Sequence, residues 1–217
     1  MFYNCGILKI EYEKIILTTT CLLMMGTFVK GQAFEGGKNY FSVGYGTGNF
    51  AQSFLKATVE GSGASDMKFV GTGPLFVKFE HAAESKIGYG LSFAYMSNAI
   101  SYTETNTDSV PYTYSAKLKC TTFNILARVN YHLGDNEHLD PYIGLGVGYR
   151  AVKWSYTDTD PKNNSNADEI GFNALPKFPL GADLTFGLRY LFTPNIGIYT
   201  EVGLSKAVIQ GGLQFKF

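Results

Sequence analysis

Asp158, Asp160 and Glu169 occupy the first, third and twelfth places of DTDPKNNSNADE, the spacing of a calcium-binding loop. Such a loop needs an oxygen donor at the fifth place and glycine at the sixth, where this chain has Lys162 and Asn163. No helical pattern flanks the segment, so it reads as a solvated acidic loop. His81, His132 and His138 show neither an HExxH spacing nor an i, i+4 pair. They fall in or beside polar turns and read as solvated turn residues. GYGTG at 44–48 and GLGVG at 144–148 look like phosphate loops, but a dinucleotide fingerprint needs a strand, a turn and then a helix. These glycines instead keep a period of two, as small residues would inside a narrow barrel. NNS at 163–165 fits a glycan acceptor only as a bare tripeptide. There is no G-x-S-x-G nucleophile elbow. The expectation is no catalytic residue, no metal ligand and no cofactor.

The remaining chemistry is a set of charges at regular places. Lys78, Glu80, Arg128, Arg150, Asp183, Arg189, Glu201 and Lys216 each alternate with large apolar neighbours. Charges on an enclosed face must pair or line water. A fully paired set would plug a lumen, whereas an incompletely paired one would line a narrow channel. Counting residues from the turns places Glu201, Arg189 and Arg128 in one layer, with Glu201 as its acidic centre.

Eight runs of period-two alternation position these charges. Outward-type apolar residues are Phe41, Val43 and Tyr45; Leu75, Val77 and Phe79; and Ile87 to Tyr95 at odd numbers. Phe123 to Tyr131 and Ile143 to Tyr149 continue the pattern at odd numbers. Ala182 to Tyr190, Ile198 to Leu204 and Ile209 to Phe217 complete it. A tilted membrane strand needs about 9–11 residues, and bacterial barrels have an even number of strands. Short polar connections at 81–86, 134–141 and 193–195 alternate with long ones near 48–67, 97–112 and 157–175. That is the arrangement of periplasmic turns and extracellular loops. A soluble lipocalin-like barrel would put its large apolar residues inside, but eight strands enclose little volume. The large residues suit lipid better, with Tyr95, Tyr131 and Tyr190 as interfacial girdle candidates. The fold expected is an all-β, eight-stranded antiparallel up-and-down transmembrane barrel.

Composition agrees. Of 217 residues, 17% are charged and 15% aromatic, and the formal net charge is zero. A neutral chain gives no electrostatic footprint for nucleic acid. Lys9 and Lys14 precede the apolar run Ile15 to Val29, too short for a spanning helix and matched to a secretory signal. Residues 1–31 are therefore expected to be a cleaved signal peptide, and 32–217 the barrel domain. Cleavage before Gln32 or before Phe34 both fit, and Glu11 and Glu13 in the long leading region leave a downstream start codon open. Cys120 alone remains after the signal, so no disulfide framework is expected.

The chain ends in VIQGGLQFKF, with Leu213, Phe215 and Phe217 on one face. LRYLFTPNIGIYTEVGLSKAVIQGGLQFKF at 188–217 resembles the closing hairpins of the porin-like, OmpA-type outer-membrane β-barrel domain family. The likeness is nearest to short members of OmpX or OmpW build, because the chain ends with the eighth strand and no periplasmic domain is implied. The resemblance implies residence in the bacterial outer membrane, contact with its lipid, and use of Leu213, Phe215 and Phe217 as the signal read by the assembly machinery. It implies a structural or surface-interaction role that displays extracellular loops, leaving a host or surface ligand open. A narrow porin-like conduit for small solutes is the alternative.

Overall fold

The computed structural model describes residues 32–48, 53, 56, 57, 59, 64–84, 86–106, 111–160 and 179–217. The expected signal peptide and most of the 157–175 connection, including Glu169 and the NNS tripeptide, lie outside the described residues. Eight strands follow in chain order: β1 (Asn39–Thr47), β2 (Ser65–Ala82), β3 (Ile87–Asn106), β4 (Tyr112–His132), β5 (Leu139–Asp158), β6 (Leu180–Leu191), β7 (Ile196–Leu204) and β8 (Ile209–Lys216). Each is antiparallel to its neighbour, and β8 closes on β1. Tyr40 faces Lys216 and Thr47 faces Ile209 at the two ends of that seam. Asn39 and Phe217 exchange two backbone hydrogen bonds of 2.8 and 2.9 Å. Closure pairs the row of amides that a terminal strand would otherwise leave bare.

Alternation decides which side chains meet lipid. Val77, Leu91, Ile125, Leu145, Phe186, Ile198 and Leu213, from seven different strands, all point outward and are exposed. Tyr131 and Tyr190 are exposed near strand ends, where the girdle was expected, whereas Tyr95 is exposed in the middle of β3, because that strand runs on to Asn106. Inward, Ser42, Lys78, Asn130, Thr185, Gln210 and Gln214 are buried. Apolar-out and polar-in is the reverse of a soluble barrel, and it matches a wall immersed in hydrocarbon.

Four strands run much further than the membrane requires. β2 to β5 have 18 to 21 residues, whereas β1, β7 and β8 have 8 or 9. The expected loop at 97–112 is therefore mostly strand; β3 and β4 pair without a break out to Asn106 and Tyr112. The expected loop at 48–67 gives way to β2 at Ser65, with Ser53, Lys56, Ala57 and Val59 helical before it. Beyond the membrane the inward row turns apolar. Ile100, Tyr102, Ala116, Leu118 and Cys120 are buried with Val59, and Trp154 and Tyr156 pack on them. The outward row there turns polar, with Lys117, Lys119 and Lys153 exposed. β2 joins this second core by slipping its register between Thr72 and Leu75. The slip brings Met67 and Phe69 onto the apolar cluster. A bulge of this kind shifts side-chain phase by one residue.

Candidate functional site

Polar residues that alternation turns inward meet in two layers. The layer nearer the turns of β4–β5 and β6–β7 is a closed ring of four side chains from four strands. Arg189 of β6 reaches Glu80 of β2 at 2.6 Å and Asp140 of β5 at 3.2 Å. His132, at the end of β4, bridges the same two carboxylates: Nε2 to Glu80 at 2.8 Å and Nδ1 to Asp140 at 2.8 Å. An imidazole that serves two carboxylates must donate from both nitrogens, which is the imidazolium form. Two positive and two negative groups then balance. Aromatic rings complete the layer: the Arg189 guanidinium lies 4.3 Å from the Tyr40 ring centre. Phe34 stacks on His132 at 3.4 Å between centroids.

The next layer centres on Glu201 of β7. Lys78 approaches one carboxylate oxygen at 2.7 Å and Arg128 the other at 3.0 Å. Tyr142 and Gln210 each donate a hydrogen bond of 2.7 Å to it. Arg128 also lies 3.6 Å from Asp183 and donates to Asn130 and Thr185. Two cations again meet two carboxylates. The space left among Ser42, Lys78, Glu80, Arg128, Tyr142 and Glu201 is about 10 Å³, room for one water at most.

Glycines make these reaches possible. Tyr142, Gly187 and Glu201 stand side by side on β5, β6 and β7. A Cβ at Gly187 would sit 2.2 Å from the Tyr142 ring, blocking its path to Glu201. A Cβ at Gly144 would sit 2.1 Å from the Arg128 guanidinium. In GLGVG, Gly144 and Gly146 thus clear room for Arg128 and Asp183.

The residues just before β1 cover the turn-side mouth. Ala33 and Phe34 are buried, and the Ala33 amide donates to the Asn136 carbonyl at 2.9 Å. Lys216 holds this segment by an ion pair of 2.9 Å to Glu35 and a 2.8 Å hydrogen bond to the Gln32 carbonyl. The Lys216 hydrogen bond keeps the Glu35 carboxyl below the usual carboxylate range.

Several expectations change. Arg189 is not a partner of Glu201; it sits opposite Tyr199, one inward step nearer the turn, while Gly187 faces Glu201. Lys78 takes the expected place. His132 is fully buried rather than solvated. Continuing the inward phase of Asn124, Arg128 and Asn130 by two residues would have found it, and the same step back from Tyr142 would have found Asp140. His81 pairs with Asn39 at 2.9 Å, and His138 contacts the Leu191 carbonyl at 3.0 Å. Arg150 is exposed at the outer mouth rather than buried in a layer. In the segment read as a solvated acidic loop, Asp160 accepts a 2.7 Å hydrogen bond from Tyr112. No metal-ligating cluster occurs among the described residues. Leu213 on β8 and Phe217 just after it are exposed outward, and Phe215 is partly covered.

No family model and no curated relative matches the chain. Solved structures do. Ail of Yersinia pestis, crystallised in complex with the heparin analogue sucrose octasulfate, is 14% identical with a TM-score of 0.40, covering 84% of this chain and all of its own. The N-terminal β-barrel domain of Pseudomonas aeruginosa OprF is 13% identical with a TM-score of 0.36, covering 84% of this chain and 98% of its own. The Pseudomonas aeruginosa outer-membrane protein OprG is 14% identical with a TM-score of 0.42, covering 88% and 99%. Closed by its own last strand, polar within and belted outside with apolar side chains, the chain is an eight-stranded antiparallel β-barrel with the build of a membrane-spanning wall.

Proposed function

We propose that the protein is a closed, non-enzymatic barrel that holds an extracellular sheet and its loops as an interaction surface. The observation that carries this reading is the bore: two charge-balanced layers span it and leave space for a single water. A conduit would need inward charges that face water rather than each other. The length of β2 to β5 supports display, because their second core stiffens a platform above the lipid. Purified protein in a planar bilayer is expected to give no discrete conductance steps at neutral pH. Reproducible unitary steps would reverse the reading in favour of the narrow conduit.

The outward stripe of Leu213, Phe215 and Phe217 fits the proposed role of the last strand in recognition by the assembly machinery, and the apolar belt fits outer-membrane lipid as the solvating partner. The seal at the turn-side mouth bears on maturation. Cleavage before Phe34 would remove Ala33 and the Gln32 carbonyl from their contacts, while cleavage before Gln32 keeps both. N-terminal sequencing of protein from the outer membrane is expected to begin at Gln32. Recovery of Met1 would sink the signal-peptide proposal.

A further inference from the structure

Outside the paired layers the bore opens toward the extracellular side as a pocket of about 130 Å³. Met96, Thr122, Asn124, Arg150, Ser205 and Lys206 are among its walls, and none of the lining residues is a carboxylate. Arg150 lies on β5, and Lys206 in the connection between β7 and β8. Neither has a carboxylate partner among the described residues. This departs from the rest of the lumen, where Lys78, Arg128 and Arg189 each meet at least one acid. Lys206 donates to the Thr122 hydroxyl at 2.7 Å. That hydroxyl, accepting from Lys206, keeps its own proton free to donate. Asn124 is only 7% exposed, and its side-chain oxygen has no hydrogen-bond partner. A half-turn of its amide would present the NH₂ group there, since the two ends of an amide are interchangeable in shape. Burial and the adjacent Arg150 guanidinium pull the Lys206 ammonium down to about 7, and Cys120 is the other ionisable group that acts on it.

Two converging cations with hydroxyl and amide groups between them lack their counter-charge. We infer that this pocket binds one tetrahedral oxyanion, a free phosphate or sulfate or the phosphate or sulfate terminus of an ester. Arg150 offers a planar fork of donors and Lys206 a point charge, the two established modes of oxyanion capture. Thr122 and Asn124 supply donors from β4, so the group is held from three directions. Exposure of Arg150 lets it arrive from the extracellular side.

Isothermal titration of the full detergent-folded barrel at low salt and pH 6 tests this, with inorganic phosphate, inorganic sulfate and glucose 6-phosphate as probes. Saturable binding of at least one probe is expected. Arg150→Gln and Lys206→Gln should each weaken it at least tenfold. Lys119→Gln, on the outward face, should leave it unchanged. Retention of the heat-dependent gel shift of folded barrels shows that each variant is folded. Equal binding of glucose 6-phosphate supports an ester terminus, and binding of the free ions alone supports a free oxyanion. No saturable binding by any probe, or binding that survives both substitutions in folded protein, overturns the inference.

Discussion

Glu201→Gln is expected to destabilise the detergent-folded barrel by about 3–5 kcal/mol, the usual cost of removing one partner from a buried ion pair. The carboxylate is 1% exposed and is the shared acceptor of Lys78, Arg128, Tyr142 and Gln210. The glutamine is nearly the same size, so packing is preserved. Lys78 and Arg128 would be left with Asp183 as the only acid in their layer. Its neighbour Thr200 points outward and makes one hydrogen bond, to the Gln210 carbonyl at 3.2 Å. Thr200→Val should therefore cost no more than about 1 kcal/mol. Urea unfolding followed by circular dichroism gives both numbers. A wild-type midpoint for Glu201→Gln together with collapse of Thr200→Val would mean that the faces of the wall are exchanged.

Ile100→Ala and Leu118→Ala are each expected to cost about 2–5 kcal/mol, within the range for emptying a large aliphatic site. Ile100 is fully buried and Leu118 is 2% exposed, both in the extramembrane cluster. The loss should be local, because that cluster and the ion-paired layers occupy different heights of the same strands. Trp154 is the one tryptophan of the chain and packs against the cluster. Its emission should shift to the red at a lower denaturant concentration in either variant, while the gel shift of the membrane-embedded part persists. A single coincident transition by both probes would show that the outer sheet and the barrel do not melt separately.

The barrel was legible because a period of two survives in the lipid-facing stretch of every strand, and that period alone turns Lys78, Glu80, Asp183 and Glu201 inward. Partner choice was not legible. Counting from a turn treats the strands as level, but barrel strands tilt and are staggered, so equal counts do not give equal heights. Arg189 accordingly lies one inward step below Glu201 and bonds to Glu80 on the far side of the bore. His132 and Asp140 were hidden for a different reason. Polar neighbours in HLGDNEHLDP suggest a turn, although the strand phase continues through both residues. The outer halves of β3 and β4 were hidden by composition: Ser101, Thr103, Glu104 and Thr105 look like loop residues unless Ile100 and Tyr102 are recognised as a buried row of reversed polarity.

That reversal also fixes how deep the barrel floats. Along β4 the outward residues run Val129, Ala127, Ile125 and Phe123, and then Thr121, Lys119 and Lys117. The waterline falls between Phe123 and Thr121, two residues that rise by about 7 Å along the strand. If the protein sank by a step or two, Lys119 would be carried toward hydrocarbon; if it rose, Phe123 would be lifted into water. Either displacement is opposed by the side chains themselves, without any anchor below the membrane. The height at which the four long strands stand clear of the membrane is thus encoded residue by residue in the wall that carries them.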